Sequence, residues 1–325
     1  AHCRRSDALP EGHPGMTQFF DYLILGLTRG SMYALIALGY TLVYGVLQLI
    51  NFAHSEVFMS GAFGSYIVVH LIVGDGSGTA TWEVPIVIAV GMVTGALTAA
   101  CVAWTLERVA YRPLRRRGAP KLAFLIGAIG ASFFLSTLAS KLFNSQTTNQ
   151  FPTFFDHNTT LFKIDHANVK ALQAVIVISA IVMMVFLDRL VRLTKLGRSI
   201  RAVSEDAPTA ALMGIDIDKT ISRTFIIGGL LGGAAGFLFG LNFSFAYNMG
   251  FAPGVKAFAA AVLGGIGNIR GAMLGGLLLG VVENLVLLIP GFDASWTDVV
   301  AFIVLVGVLM FRPTGLLGER VGRAA

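Results

Sequence analysis

Polar side chains inside long apolar runs are the residues of this sequence that could do chemistry. Asn51, His54 and Glu56 fall in NFAHSE, at the junction of two apolar stretches. Asn242, Asn248 and Lys256 flank an expected break around Phe251-Ala252-Pro253-Gly254, and Glu283 and Asn284 sit in VVENLVLLIP. A carboxylate at bilayer depth costs a few kcal/mol or more, so such groups face a cavity or a partner. One reading places these residues along a solute path or at its gates. The other makes Asn51, His54 and Glu56 caps for free helix ends, Glu283 an interhelical hydrogen-bonding group and Lys256 a side chain that snorkels to a headgroup. Both stay open at this level. No nucleophile–base pair and no metal-ligand cluster stands at useful spacing, so neither a catalytic residue nor a metal site is expected.

The elements that must hold these groups are membrane helices. Of 325 residues 55% are hydrophobic and 13% charged, where a soluble domain carries roughly 25% charge. That excludes a water-soluble enzyme, a disordered chain and a nucleic-acid-binding module. Two cysteines, Cys3 and Cys101, make no disulfide framework. Residues 1–15 lack the apolar core of a signal peptide and are expected to be a disordered leader or extension, with the chain proper starting at Met16. Apolar runs cover about 18–28, 31–48, 56–73, 84–106, 121–142, 171–191, 223–246, 271–290 and 297–311, with a short glycine-rich piece at Ala257–Ile269. We expect an all-α polytopic membrane protein with about eight to ten transmembrane or half-spanning helices. The first two runs are expected to be separated at Thr28-Arg29-Gly30. Broken helices survive at membrane depth only where protein or a water-filled cavity surrounds them, which hints at a transport path.

Charge orients the chain. Glu107–Lys121 holds six Lys/Arg, Asp188–Arg223 seven, and the segment after Phe311 three, of 24 in all. The positive-inside rule puts all three on the cytoplasmic side; the side of Met16 stays open. Glycines at four-residue intervals (Gly228, Gly232, Gly236 and Gly240, then Gly267, Gly271 and Gly275) would clear one face of a helix for close backbone approach. That spacing speaks of a packed bundle and is silent on transport.

Of the cytoplasmic loops about 107–121 and 192–222 and the cytoplasmic tail 319–325, the second loop holds one short stretch that stands out. Asp206 suits an N-cap, Pro208 a first helical turn and Gly214 a C′ position. A short helix about Ala207–Met213 would present Ala210, Leu212 and Met213, either as a docking knob or as a plain connector. The chain has no G-x-x-x-x-G-K-[ST] phosphate loop and no soluble stretch long enough for an ATPase. If ATP drives this protein, another chain hydrolyses it.

GSMYALIALGYTLVYGVLQLINFAHSEVFMSGAF (Gly30–Phe63), ERVAYRPLR (Glu107–Arg115), GRSIRAVSEDAPTAALMGI (Gly197–Ile215), KAFAAAVLGGIGNIRGAMLGGLLLG (Lys256–Gly280) and RPTGLLG (Arg312–Gly318) resemble the branched-chain amino acid ABC transporter permeases of the LivH type. The resemblance runs from about Met16 to Gly318. It implies a permease domain over 16–318 and a multi-pass protein of a bacterial inner membrane, importing Leu, Ile and Val by alternating access. It also implies a LivM-like second permease, two ABC ATPase subunits that bind ATP and Mg, and an extracytoplasmic solute-binding protein. No cofactor belongs to this chain, its other surroundings are the lipid bilayer, and nucleic acid is no partner. By the same resemblance Glu205, Asp206, Ala207, Ala210, Leu212, Met213 and Gly214 form the helix that transmits ATPase closure. Ser55 departs from the family's usual NFAHGE, and Pro208 falls inside the coupling element. Similar permeases carry urea, short amides and other small organic solutes, which is the alternative cargo. A reading from a different class is an ion-gradient-driven secondary transporter in which Glu283, Glu56 or His54 relays protons.

Overall fold

Without water in the hydrocarbon layer, backbone N–H and C=O groups must pair within their own segment, so long apolar runs become helices. A computed structural model describes residues 14–49, 51–74, 83–143, 148–152, 160–164, 167–312 and 314–318. The expected leader over 1–15 and the tail 319–325 lie almost wholly outside the described residues. In chain order the elements are α1 (Pro14–Leu47), α2 (His54–Val73), α3 (Val84–Leu106), a π-turn (Glu107–Tyr111), α4 (Arg112–Arg116) and α5 (Lys121–Leu142). A small antiparallel hairpin follows, β1 (Thr160–Ile164) with β2 (Ala167–Lys170), then α6 (Ala171–Leu193), α7 (Lys195–Glu205) and α8 (Ala207–Leu212). The chain closes with α9 (Ile217–Asn242), α10 (Phe251–Gly264), α11 (Ile269–Leu285) and α12 (Thr297–Phe311). Among the described residues eight helices are long and apolar enough to span a membrane, and α10 is shorter. The protein is an all-α polytopic membrane protein.

The expected break at Thr28-Arg29-Gly30 does not occur, because α1 runs through it. Thr28 returns its hydroxyl to the Ile24 carbonyl at 2.8 Å, so its polar group asks nothing of the surroundings. Gly30 is small for a packing reason: a Cβ there would lie 2.8 Å from the Leu277 carbonyl oxygen of α11. The other expected break is displaced. Phe251–Gly254 forms the first turn of α10, and the chain is irregular just before it, over 243–250. Pro253 is tolerated there because the first turn does not need its missing N–H.

In the glycine rows Gly236, Gly240, Gly271 and Gly275 serve close packing, Gly228 and Gly232 stand at ordinary contact distance from their neighbours, and Gly267 differs in kind. A Cβ on Gly236 would overlap the Phe58 backbone of α2, and Gly228 and Gly232 face Gly39 and His54. Gly240 abuts the Phe151 ring, while Gly271 and Gly275 abut the Gly264 and Ala260 backbone of α10. Gly267 belongs to no helix. It sits in the α10–α11 turn at φ +92°, a left-handed conformation that favours glycine. A second face of α9, Gly229 and Gly233, packs on Ala99 and Gly95 of α3. Thus α1 and α9 form the buried heart of the bundle, while α5, α6 and α12 expose apolar side chains such as Phe133, Phe186 and Phe302.

The basic segments gather at one end. Asp218 at the start of α9 pairs with Arg112, Arg115 and Arg116 at 3.0, 2.5 and 2.9 Å. Gln48, just past α1, donates to the Ser204 carbonyl at 3.2 Å, and Leu316 N donates to the Leu263 carbonyl at 2.8 Å. By the positive-inside rule this end is the inner one. The C-terminus of α1 lies there, so α1 starts on the outer side.

Candidate functional site

Two polar centres lie within the bundle, joined by α10. The first is the start of α2. Asn51 Oδ1 accepts the Ala53 N–H at 3.1 Å and the Tyr111 hydroxyl at 2.5 Å, closing the turn that opens the helix. Glu56 Oε1 accepts the Ser132 hydroxyl at 3.2 Å. His54 packs against the Tyr40 ring, centroids 4.9 Å apart, and against Gly39. Among the described residues His54 Nε2 and Glu56 Oε2 have no hydrogen-bond partner. All three side chains are buried. Ser55 occupies the place of the glycine that the family motif led us to expect, and its hydroxyl is satisfied by the Phe52 carbonyl at 2.7 Å. The room for close approach comes from the other side: a Cβ on Gly250 would lie 2.6 Å from the Ser55 carbonyl oxygen.

The second centre is a cavity of about 510 Å³ between α1, the 243–250 link, α10, α11 and the start of α12. Arg29, Tyr33, Asn248, Lys256 and Glu283 supply much of its polar wall, and Met32, Phe239, Phe243, Met249 and Pro253 much of its apolar wall. Lys256 Nζ lies 2.6 Å from Glu283 Oε1 and 2.5 Å from Asp298 Oδ1. The Arg29 guanidinium carbon stands 5.4 Å from the Phe243 ring centroid, a cation–π distance. Glu283 and Lys256, placed far apart by the sequence, are therefore direct partners.

Other expected site residues fall elsewhere. Asn284 is buried, donates to the Gly280 carbonyl at 2.8 Å on its own helix and does not line this cavity. Asn242 ends α9 half-buried and lines it no more than Asn284 does. Arg29, Tyr33 and Asp298 went unnoticed in the sequence. Arg29 stands where the sequence suggests a helix break and the fold has none.

A second cavity, about 620 Å³, opens at the inner end between Thr41, Gly45, Asp188, Arg201, Asn268 and Arg270. Adjoining the inner cavity through Thr41 is a waist of Tyr40, Thr41, Tyr44, Asn51 and Phe258, whose residues follow those of the outer cavity along α1 and α10 and enclose only about 10 Å³, room for about one water. Ring contacts close it: Tyr40 and Phe52 each approach Phe258 with centroids 6.1 Å apart.

At the inner face Glu205 ends α7, and α8 follows with Asp206 at its N-cap position and Pro208 in the first turn. The Asp206 carboxylate takes the Thr209 hydroxyl rather than a backbone N–H. Gly214 follows at φ +83°, suited to a glycine stop. The helix does not present Ala210. That residue is 4% exposed and packs with Val203, Ile221 and Phe225, its methyl facing the bundle while Leu212 and Met213 turn outward at 87% and 79% exposure. Beneath it, buried Glu107 accepts from Arg115 at 3.1 Å and from the Ser222 hydroxyl at 2.5 Å. ERVAYRPLR thus clamps α4 to α9, a role that spacing alone could not reveal. At the exposed N-cap of α9, the Lys219 N–H donates to Asp216 at 3.0 Å and holds that carboxyl below its ordinary value.

A bundle of apolar helices with charged side chains around one cavity, a closed waist and a second cavity beyond it defines a membrane permease. Comparison with known proteins places it further. Residues 22–309 match the family described as branched-chain amino acid transport system / permease component, and the chain belongs to that family. It is 40% identical over 305 residues to the high-affinity branched-chain amino acid transport system permease protein LivH of Escherichia coli K12, covering 93% of this chain and 96% of the relative. BraD, the corresponding permease protein of Pseudomonas aeruginosa, is 40% identical over 94% of this chain and 98% of its own. The autoinducer 2 import system permease protein LsrC of Klebsiella pneumoniae is 35% identical over a shorter stretch, 36% of each chain.

Proposed function

We propose that this chain carries leucine, isoleucine and valine inward across a bacterial inner membrane as one permease of an ATP-driven ABC importer. In this reading a LivM-like second permease completes the conduit, and two ATPase subunits that bind ATP and Mg dock on the inner face. A solute-binding protein delivers cargo to the outer face. The cargo is taken from the names of the long-matching relatives, LivH and BraD.

The observation that carries the reading is an outer and an inner cavity that both open along α1, with the aromatic waist of Tyr40 and Phe258 beside the inner one. Such a chain has two accessible states separated by a barrier, and a ligand or motor shifts it only by contacting the two states differently. The exposed Leu212 and Met213, seated through Ala210 above the Glu107–Arg115–Asp218 clamp, are where an ATPase would make that difference.

Proteoliposomes holding the assembled transporter test it. Uptake of labelled leucine should require the ATPase and the binding protein, and should survive collapse of ion gradients while ATP is present. Uptake by this chain alone under a proton gradient would replace the reading with a secondary transporter. Uptake of urea or a short amide with no uptake of leucine would replace the cargo.

A further inference from the structure

The outer cavity holds two unsatisfied groups of opposite character. Lys256 is already occupied: its ammonium is shared between Glu283 and Asp298 and rests 5.8 Å from the Tyr33 ring centroid. Arg29 has no carboxylate partner among the described residues, and its Nε is buried without an acceptor. With Phe243 against its face, the guanidinium keeps its in-plane N–H donors for an incoming group, the geometry that suits a carboxylate. Glu283 is 1% exposed; Lys256 takes Oε1, and Oε2 has no partner among the described residues. That oxygen wants a donor, and a cation best of all.

We infer that this cavity is a binding site for a zwitterionic aliphatic α-amino acid, with Arg29 receiving the carboxylate and Glu283 Oε2 the ammonium. Four charges, Arg29, Lys256, Glu283 and Asp298, sum to zero, so a net-neutral ligand leaves the balance intact while supplying each free group with its counter-charge. A neutral amide supplies hydrogen bonds but no counter-charge for Arg29. The apolar side chain then lies against Met32, Phe239 and Met249. The volume, about 510 Å³, is in the range of small-molecule sites. This assignment rests on the proposed amino-acid cargo and adds the residues that recognise it.

Four ligands that share the isobutyl side chain and differ in the polar groups they carry decide the matter on the full chain in lipid nanodiscs. L-leucine, 3-methylbutylamine, 4-methylpentanoate and 4-methylpentanamide are compared by ligand-observed saturation-transfer NMR. Leucine should bind, and each of the others should bind about tenfold more weakly or worse, because each leaves a buried group unpaired. Arg29→Gln should weaken leucine while leaving 3-methylbutylamine unaltered, and Glu283→Gln should weaken leucine while leaving 4-methylpentanoate unaltered. Absence of leucine binding, parity of any single-charge or amide ligand with leucine on the unmutated chain, or equal loss of all ligands in both variants overturns the inference. Leucine uptake by the assembled transporter is read in parallel. Uptake without charge discrimination at the cavity sinks this assignment alone, whereas amide uptake in place of leucine sinks the cargo on which it rests.

Discussion

Glu56 and Glu283 are both buried carboxylates in helices of one bundle, and they are held in opposite ways. Glu56 meets a neutral serine hydroxyl where α2 and α10 begin, with glycine backbones pressed against the same turn. Glu283 meets a lysine at 2.6 Å and opens on a cavity of about 510 Å³. A tightly packed polar turn serves geometry: it fixes where two helices start. Both carboxylates keep one unpartnered oxygen among the described residues; what sets Glu283 apart is a charge cluster with open space beside it, which serves a ligand. α10 and its N-cap touch both, Gly250 and Gly254 against Ser55 and Lys256 in the cavity wall.

The contrast can be broken from either side. The largest effect should come from Glu283→Gln. Removing the charge leaves Lys256 with one partner, and leucine uptake should fall by about tenfold or more while the amount of folded chain changes little. Equal losses of uptake and of folded chain would make Glu283 structural. Leu212→Asp should come next, with ATP-dependent uptake down by about fivefold to tenfold at unchanged insertion, since a charge placed in an apolar contact is poorly tolerated. Unaltered uptake would remove α8 from the coupling. Gly236→Ala should show the reverse signature. The new methyl would meet the Phe58 backbone, and overpacking of this kind costs about 1–3 kcal/mol. The melting temperature should fall, and uptake per folded molecule should hold. The smallest effect belongs to Asp298→Asn. This carboxylate is 61% exposed, its share of the Lys256 pairing is screened, and uptake should change by about twofold at most. A tenfold loss there would move the working charge pair from Glu283 to Asp298.

What could be read in the sequence follows from the range of the forces involved. The bounds of α8 were legible because Asp206, Pro208 and Gly214 act within a turn of where they stand. The helical runs were legible because hydrophobicity is summed over a segment. Thr28-Arg29-Gly30 was misread because the reason for Gly30 lies in Leu277, on a helix that arrives much later in the chain. Phe251–Gly254 was misread because proline and glycine mark a break only when they fall outside a first turn. Gly267 kept the four-residue interval of its row while doing the work of a left-handed turn. The sequence singled out Lys256 and Glu283 one by one. Their pairing, and the Arg29, Tyr33 and Asp298 that surround them, needed the fold.

The waist at Tyr40 and Phe258 carries the whole account, and thiol labelling tests it most directly. In a background with Cys3 and Cys101 replaced, Ala252→Cys in the outer cavity and Gly45→Cys in the inner cavity, where an added side chain meets open space, are exposed to a membrane-impermeant maleimide from each face of proteoliposomes, with and without trapped ATP. Ala252→Cys should react only from outside and Gly45→Cys only from inside, and trapping ATP should change the two rates in opposite directions. Labelling of Gly45→Cys from the outside in the same state that exposes Ala252→Cys would mean a continuous pore, and the gated permease described here would be wrong.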